Sequence, residues 1–264
     1  ISNLYINDTS DATGMNQGLF AALGAGSSVR NLFLEEVEIH AYTQAGALAG
    51  YTEGVQIENC GMTGNVSVEG LDAGGLVGAA GSSTTIRQCF SSGTVNGDQF
   101  VGGLVGDFFD GQVSDSFSRA EVEADTGDCG GLIGHGNDNA IYDSYAAGRV
   151  TAPAGSGGLM GTGEHAPLVN GCYYDEDVSG QDDNGYGEPR STSQMKAMST
   201  FSGWDFDDVW AMDSGINDGY PYLQWAEDFF EETGSSSSGC STGIPVPLFM
   251  LLLAPFGLLL RKSR

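Results

Sequence analysis

The sequence predicts an all-β fold: a right-handed parallel β-helix of ~28-residue coils, with a C-terminal aromatic cap and a hydrophobic tail helix. Three observations predict it. A glycine phrase recurs as Gly74-Gly75-Leu76-Val77-Gly78 and again at 102–106, 130–134 and 157–161, with looser copies at 46–50 and 18–22. Its central apolar residues fall at 20, 48, 76, 104, 132 and 159. A second phrase follows each copy, at Ile57 to Cys60, Ile86 to Cys89, Val113 to Ser116, Ile141 to Ser144 and Val169 to Cys172. A third apolar beat closes each unit at Val37, Val66, Val95, Val122, Val150 and Val178. Self-similarity at a fixed period marks a solenoid, because one unit cannot bury its apolar face alone.

Each element has a physical reason. Short β-prone beats separated by Gly, Ser, Thr and Asp are too strand-rich for a helical repeat, and a propeller blade usually needs ~40 residues or more. In the second phrase Cys89, Ser91, Gly93 and Val95 alternate with Phe90, Ser92 and Thr94, the period of a strand with two faces. Stacking coils ~4.8 Å apart would pair each strand with its counterpart one coil away. The paired glycines are expected to supply positive φ angles at corners, and crossover chirality favours the right hand. Ile1 to Tyr5 matches Val29 to Phe33 at a 28-residue offset. The chain therefore reads as the C-terminal part of a longer protein that begins within a coil.

The Gly-Gly-Leu-Val-Gly phrase and the run from Ile86 through Cys89, Phe90, Ser91, Ser92, Gly93 and Thr94 to Val95 resemble the GLUG repeats of bacterial surface proteins. Such repeats occur in adhesins of the filamentous-haemagglutinin kind and beside the catalytic domains of immunoglobulin-A-specific metallopeptidases. The resemblance implies a binding or spacer module over roughly residues 1–225, with no catalytic residues to transfer. The pattern and composition divide the chain into repeats at 1–178, a cap at 179–232, a Ser/Gly-rich linker at 233–243 and a hydrophobic segment with a basic end at 244–264.

The chain carries 35 acidic and 9 basic residues, a net charge of −26. That field repels phosphates and anionic lipid, which excludes nucleic acid as a partner and suits solubility in salt or weak calcium association. Cys60, Cys89 and Cys172 share one column of the repeat with Leu32, Ser116 and Ser144. A column that accepts Leu, Ser and Cys predicts buried free thiols, with a Cys60–Cys89 bridge as the alternative.

Past Tyr173 the pattern breaks. Ser191 and Gln194 form a capping-box arrangement, and all three tryptophans, Trp204, Trp210 and Trp225, follow. A β-helix ends in an open apolar cross-section with unpaired edges, so this region is expected to cap that end. An aromatic sugar-binding platform is the functional alternative. Ile244 to Leu260 is apolar and Arg261-Lys262-Ser263-Arg264 is basic. A Ser-Gly-Cys phrase ahead of such a run resembles a bacterial C-terminal sorting signal. The resemblance implies export, processing or modification near Cys240, and Arg261 and Lys262 held on the cytoplasmic side. A simple uncut membrane tether is the alternative.

Candidate chemistry is sparse. His40, His135 and His165 share no metal-ligand spacing. The column Asn3, Asn31, Asn59, Gln88, Asp115, Asp143 would set Asp115 and Asp143 one coil apart, near the ~5–5.5 Å of a retaining glycosidase pair. No Arg, Lys or His is expected beside them, so an amide and carboxylate ladder bonding neighbouring backbone is the simpler expectation. Asp175, Asp177, Asp182 and Asp183 are weak calcium candidates without the EF-hand pattern. The expectation is a non-enzymatic, exported cell-surface protein without a required cofactor, an adhesin shaft or spacer facing a host-cell, matrix or polysaccharide surface. A carbohydrate-active β-helix enzyme, or a stalk presenting an enzyme domain upstream, is the alternative.

Overall fold

The computed structural model describes residues 1–10, 15–165 and 167–231. The linker, the apolar tail and Cys240 lie outside the described residues. Within them the chain winds as a parallel β-solenoid of about six turns, each turn contributing to three sheets. A 14-stranded sheet holds the second and third phrases, and two six-stranded sheets flank the glycine phrase. The second sheet runs from Met15–Gln17 to Ser156–Gly157, the third from Phe20–Leu23 to Met160–Glu164.

The interior is built from like residues stacked on like. Leu48, Leu76, Leu104, Leu132 and Leu159 are all fully buried. Their backbones are tied coil to coil, with Leu76 N donating to Leu104 O at 3.0 Å and Leu104 N to Leu132 O at 2.8 Å. Ile57, Ile86, Val113 and Ile141 form a second ladder in unbroken register. Cys60 and Cys89 are fully enclosed free thiols, as are Cys129 and Cys172. The Cys60 and Cys89 sulfurs point at the carbonyls of Glu58 and Arg87, at 3.3 and 3.2 Å.

The glycine phrase works differently from the expectation. Gly74, Gly75 and Gly78 and their copies do not have positive φ. A Cβ on Gly74, Gly102 or Gly130 would lie 1.9 Å from the carbonyl oxygen of Val77, Val105 or Ile133. The phrase is a tight corner at which backbone meets backbone, and any side chain would hold it open. The left-handed corners lie elsewhere. The column Asn31, Asn59, Gln88, Asp115, Asp143 has φ between 44° and 55° throughout. Asn and Asp tolerate that region better than other side chains, so conformation accounts for these residue types.

Several beats also shift. Phe20 pairs with Ala49 rather than Leu48 and is exposed, leaving Leu19 as the residue packed on the core there. Ile39, rather than Val37, stands against Val66, because the strand bulges between Leu34 and Val37 with Glu36 at φ 53°. Tyr5 pairs with Glu38 instead of stacking on Phe33. Tyr5–Asp8 pairs in order with Glu38–Ala41, so the first coil is longer than 28 residues at this strand. Asn3 consequently sits over Glu35 and Glu36, at a different corner from Asn31.

Val178 is not a strand residue but part of the helix Glu176–Ser179. From there the chain does two jobs. Residues 181–188 close the end of the solenoid: Gln181 Nε2 donates to Val150 O at 2.9 Å, Asn184 Nδ2 to Met160 O at 2.9 Å, and Gly187 packs on Leu159. Glu188–Arg190 adds a final parallel strand on Tyr173–Asp175. Residues 191–231 then run back along the outer face of the 14-stranded sheet, covering a ladder of rings, Phe33, Phe90, Phe117, Tyr145 and Tyr173. Adjacent rings stack at 5.3 Å (Phe90–Phe117) and 5.0 Å (Phe117–Tyr145). This strip joins the solenoid by Trp204 Nε1 to Gly171 O, Tyr145 OH to Pro221 O and Trp225 Nε1 to Gln88 O, at 2.9, 2.7 and 3.0 Å. Most of the region expected to cap the end is thus a second core on the flank.

Candidate functional site

Asp115 and Asp143 occupy neighbouring coils, as the spacing predicts. Asp115 N donates to Tyr142 O at 3.2 Å, and burial pushes both carboxyls above the ordinary range. At Asp143 the neighbouring Asp115 charge adds to that push. The expectation that no cation stands beside the pair is corrected: Arg87 Nε lies 3.6 Å from Asp115 Oδ2 and opposes the burial effect there. Arg87 reaches the position because the residue before the left-handed corner projects outward from its strand. It belongs to a charged strip in which Arg30 Nε meets Glu58 Oε2 at 3.3 Å and Arg87 Nη1 meets Glu58 Oε1 at 3.1 Å. A shallow groove of 260 Å³ follows this strip, with Gln56, Gln112 and Ser114 on its walls. The arrangement exposes alternating donors and acceptors along the coils.

A second constellation lies in the third sheet. Asp107 and His135 hold the same strand position one coil apart, and His135 Nδ1 lies 2.9 Å from Asp107 Oδ1. Asp72 stands nearby, accepting from Gln44 Nε2 at 2.9 Å. The three are 6–9% exposed. Burial raises the Asp72 carboxyl to about 6, and the Asp107 hydrogen bond raises the His135 imidazole. Phe100 packs on His135 with ring centres 5.0 Å apart, from a backbone at φ 53°, rare for a bulky residue. The 28-residue separation of Asp107 and His135 was the legible signal. It shows when each histidine is set against the column one period away.

The acidic stretch does not converge. Asp175 is fully buried, caps the helix at Val178 N (3.1 Å) and accepts from Tyr220 OH at 2.6 Å. Asp177 accepts from Thr192 N at 2.9 Å, and Asp183 from Gly185 N at 2.8 Å. Among the described residues no three His, Cys, Asp or Glu side chains gather as metal ligands. The three tryptophans do not form an open platform: Trp210 is fully buried, Trp204 is 7% exposed, and Trp225 is half-buried with its N–H committed to Gln88 O. The Trp204 and Trp210 indoles, packed on the ring ladder, have no free face for a sugar.

Known proteins bear on this arrangement at two levels. The fold matches a solved β-helix. A "putative immunoglobulin A1 protease from Bacteroides ovatus" superposes with a TM-score of 0.58 and 21% identity, over 78% of this chain and 74% of that one. At that identity the likeness concerns fold alone. A "Putative Gly-rich membrane protein" of Evansella cellulosilytica is 35% identical over 151 residues, 53% of this chain. The chain spans 14% of that relative's length. No family model matches the sequence. Among the described residues no helix is long and apolar enough to cross a membrane.

Proposed function

We propose that the protein is a non-enzymatic repeat module of the bacterial cell surface, a stiff shaft that spaces or presents a binding surface. The observation that carries this reading is the continuous backbone register through the coils, with the leucine ladder fully buried along its length. Parallel coils joined strand to strand, and braced along one flank by a second aromatic core, resist bending and extension. The resemblance of the repeats to GLUG arrays supports a surface role, and so does the name of the Gly-rich relative. The basic end of the apolar segment 244–264 fits a cytoplasmic stop.

The test is to export the protein with and without residues 244–264 and with Cys240→Ala, then measure mature mass and location. Loss of surface retention in the truncated form is expected. Normal retention without the tail would overturn the sorting reading.

Arg87 beside Asp115 favours one second reading, a carbohydrate-active enzyme working along the charged groove. A polysaccharide panel separates the two. Cleavage that disappears in Asp143→Asn would establish the enzyme and remove the shaft.

A further inference from the structure

The flanking strip leaves an opening where it rejoins the solenoid. Phe33, Phe90, Phe229 and Phe230 wall a cleft of 340 Å³ between the ring ladder and the helix Glu227–Glu231. Phe90 is fully buried beneath the cleft, while Phe229 is 37% exposed. Phe33 and Phe229 lie 4.3 Å apart between ring centres, Phe90 and Phe230 5.1 Å. The opposite rim is polar. Arg119 Nη2 donates to Asp218 Oδ2 at 2.8 Å and Nη1 to Asn217 Oδ1 at 2.9 Å, with the guanidinium 4.7 Å from the Tyr220 ring centre. Asn217 and Asp218 both hold left-handed backbone, at φ 49° and 53°. Asn217 Nδ2 fixes them by donating to Tyr145 OH at 3.0 Å and Pro221 O at 2.8 Å. The Asp218 side chain is 73% exposed, and Arg119 holds its carboxyl below the usual range. Ser92 completes the rim.

We propose that this cleft binds one neutral hexose unit of a glycan. Aromatic walls with a few fixed polar groups on one side are the recurring layout of small-molecule sites, and 340 Å³ lies at the lower end of their size range. A pyranose has the same division, with an apolar C–H face for the phenylalanine rings and hydroxyls for the ion-paired carboxylate and guanidinium. Charge decides between sugar classes. Arg119 is already neutralised by Asp218, and the chain carries −26, so an anionic glycan meets no free cation in the cleft and a repulsive field outside it. An aromatic peptide side chain would fill the walls and leave the Asp218 rim unused. The inference goes beyond the surface role and does not depend on it, because it concerns the purified chain.

The test is calorimetric titration and saturation-transfer NMR on the full chain with lactose, maltotriose and mannotriose. Trigalacturonate and a Phe-Gly-Phe peptide serve as competitors. At least one neutral sugar is expected to bind. Asp218→Asn, an exposed change that leaves the core intact, is expected to weaken that sugar about tenfold, roughly the effect of one charge-assisted hydrogen bond. Ser92→Phe, which fills the cleft, is expected to abolish binding. Absence of binding by all three neutral sugars would overturn the proposal, as would affinity unchanged in Asp218→Asn. Tighter binding of trigalacturonate or the peptide would also overturn it. Mislocalisation of the exported protein would refute only the surface role.

Discussion

Replacing Leu104 by Ala tests whether the array is held by its middle. Leu104 is fully buried between Leu76 and Leu132, in coils whose separation is fixed by backbone bonds of 3.0 and 2.8 Å. Truncation removes three carbon atoms from the ladder, worth ~2.4 kcal/mol at ~0.8 kcal/mol per buried methylene. The coils cannot collapse into the gap without breaking their register, so a cavity term raises the total to ~3–4 kcal/mol. Phe20, a residue of the first coil that pairs with Ala49 one position past the leucine ladder, is 38% exposed, and its truncation should cost ~1 kcal/mol. At 2–4 °C per kcal/mol for a chain of this size, Leu104→Ala should lower the melting temperature by about 10 °C and Phe20→Ala by less than about 5 °C. Circular dichroism melts with denaturant midpoints read the difference. Equal losses in the two variants would refute a solenoid whose interior coils depend on neighbours on both sides.

Two further outcomes follow from the buried groups. Asp72 is an acid whose folded pKa, about 6, lies above its ordinary 3.8, so the folded state binds its proton more tightly. Ionisation therefore costs stability that is lost as pH rises from about 4 through 6, up to ~3 kcal/mol at ~1.4 kcal/mol per unit. Asp72→Asn should raise the melting temperature at pH 7.5 and leave it unchanged at pH 4; destabilisation at pH 7.5 would count against this. Cys60, Cys89, Cys129 and Cys172 are buried free thiols, and burial raises Cys129 and Cys172 to about 12. In a Cys240→Ala background a thiol reagent should find almost nothing in the native chain and four groups after denaturation; two missing groups would reveal a Cys60–Cys89 bridge.

The sequence by itself determined the period, the parallel β-helix and most of the contents of the interior ladders. These follow from one apolar stripe repeated until it can bury itself, so any copy predicts its neighbours. It placed Asp115 and Asp143 together for the same reason. It misjudged the chemistry of the glycine phrase, since close backbone approach and positive φ both select glycine and the letters do not distinguish them. The tertiary structure alone decided where residues 191–231 go. Phe90 and Tyr145 carry no mark showing that their outer face is covered, because the strip that covers them is not part of the repeat and reaches them over long separations, as in Trp225 to Gln88. The same holds for Arg87 beside Asp115 and for the Phe229 cleft. Periodicity specifies what stacks along the solenoid axis, whereas contacts across its outer faces depend on side-chain reach and on the path of a non-repeating segment.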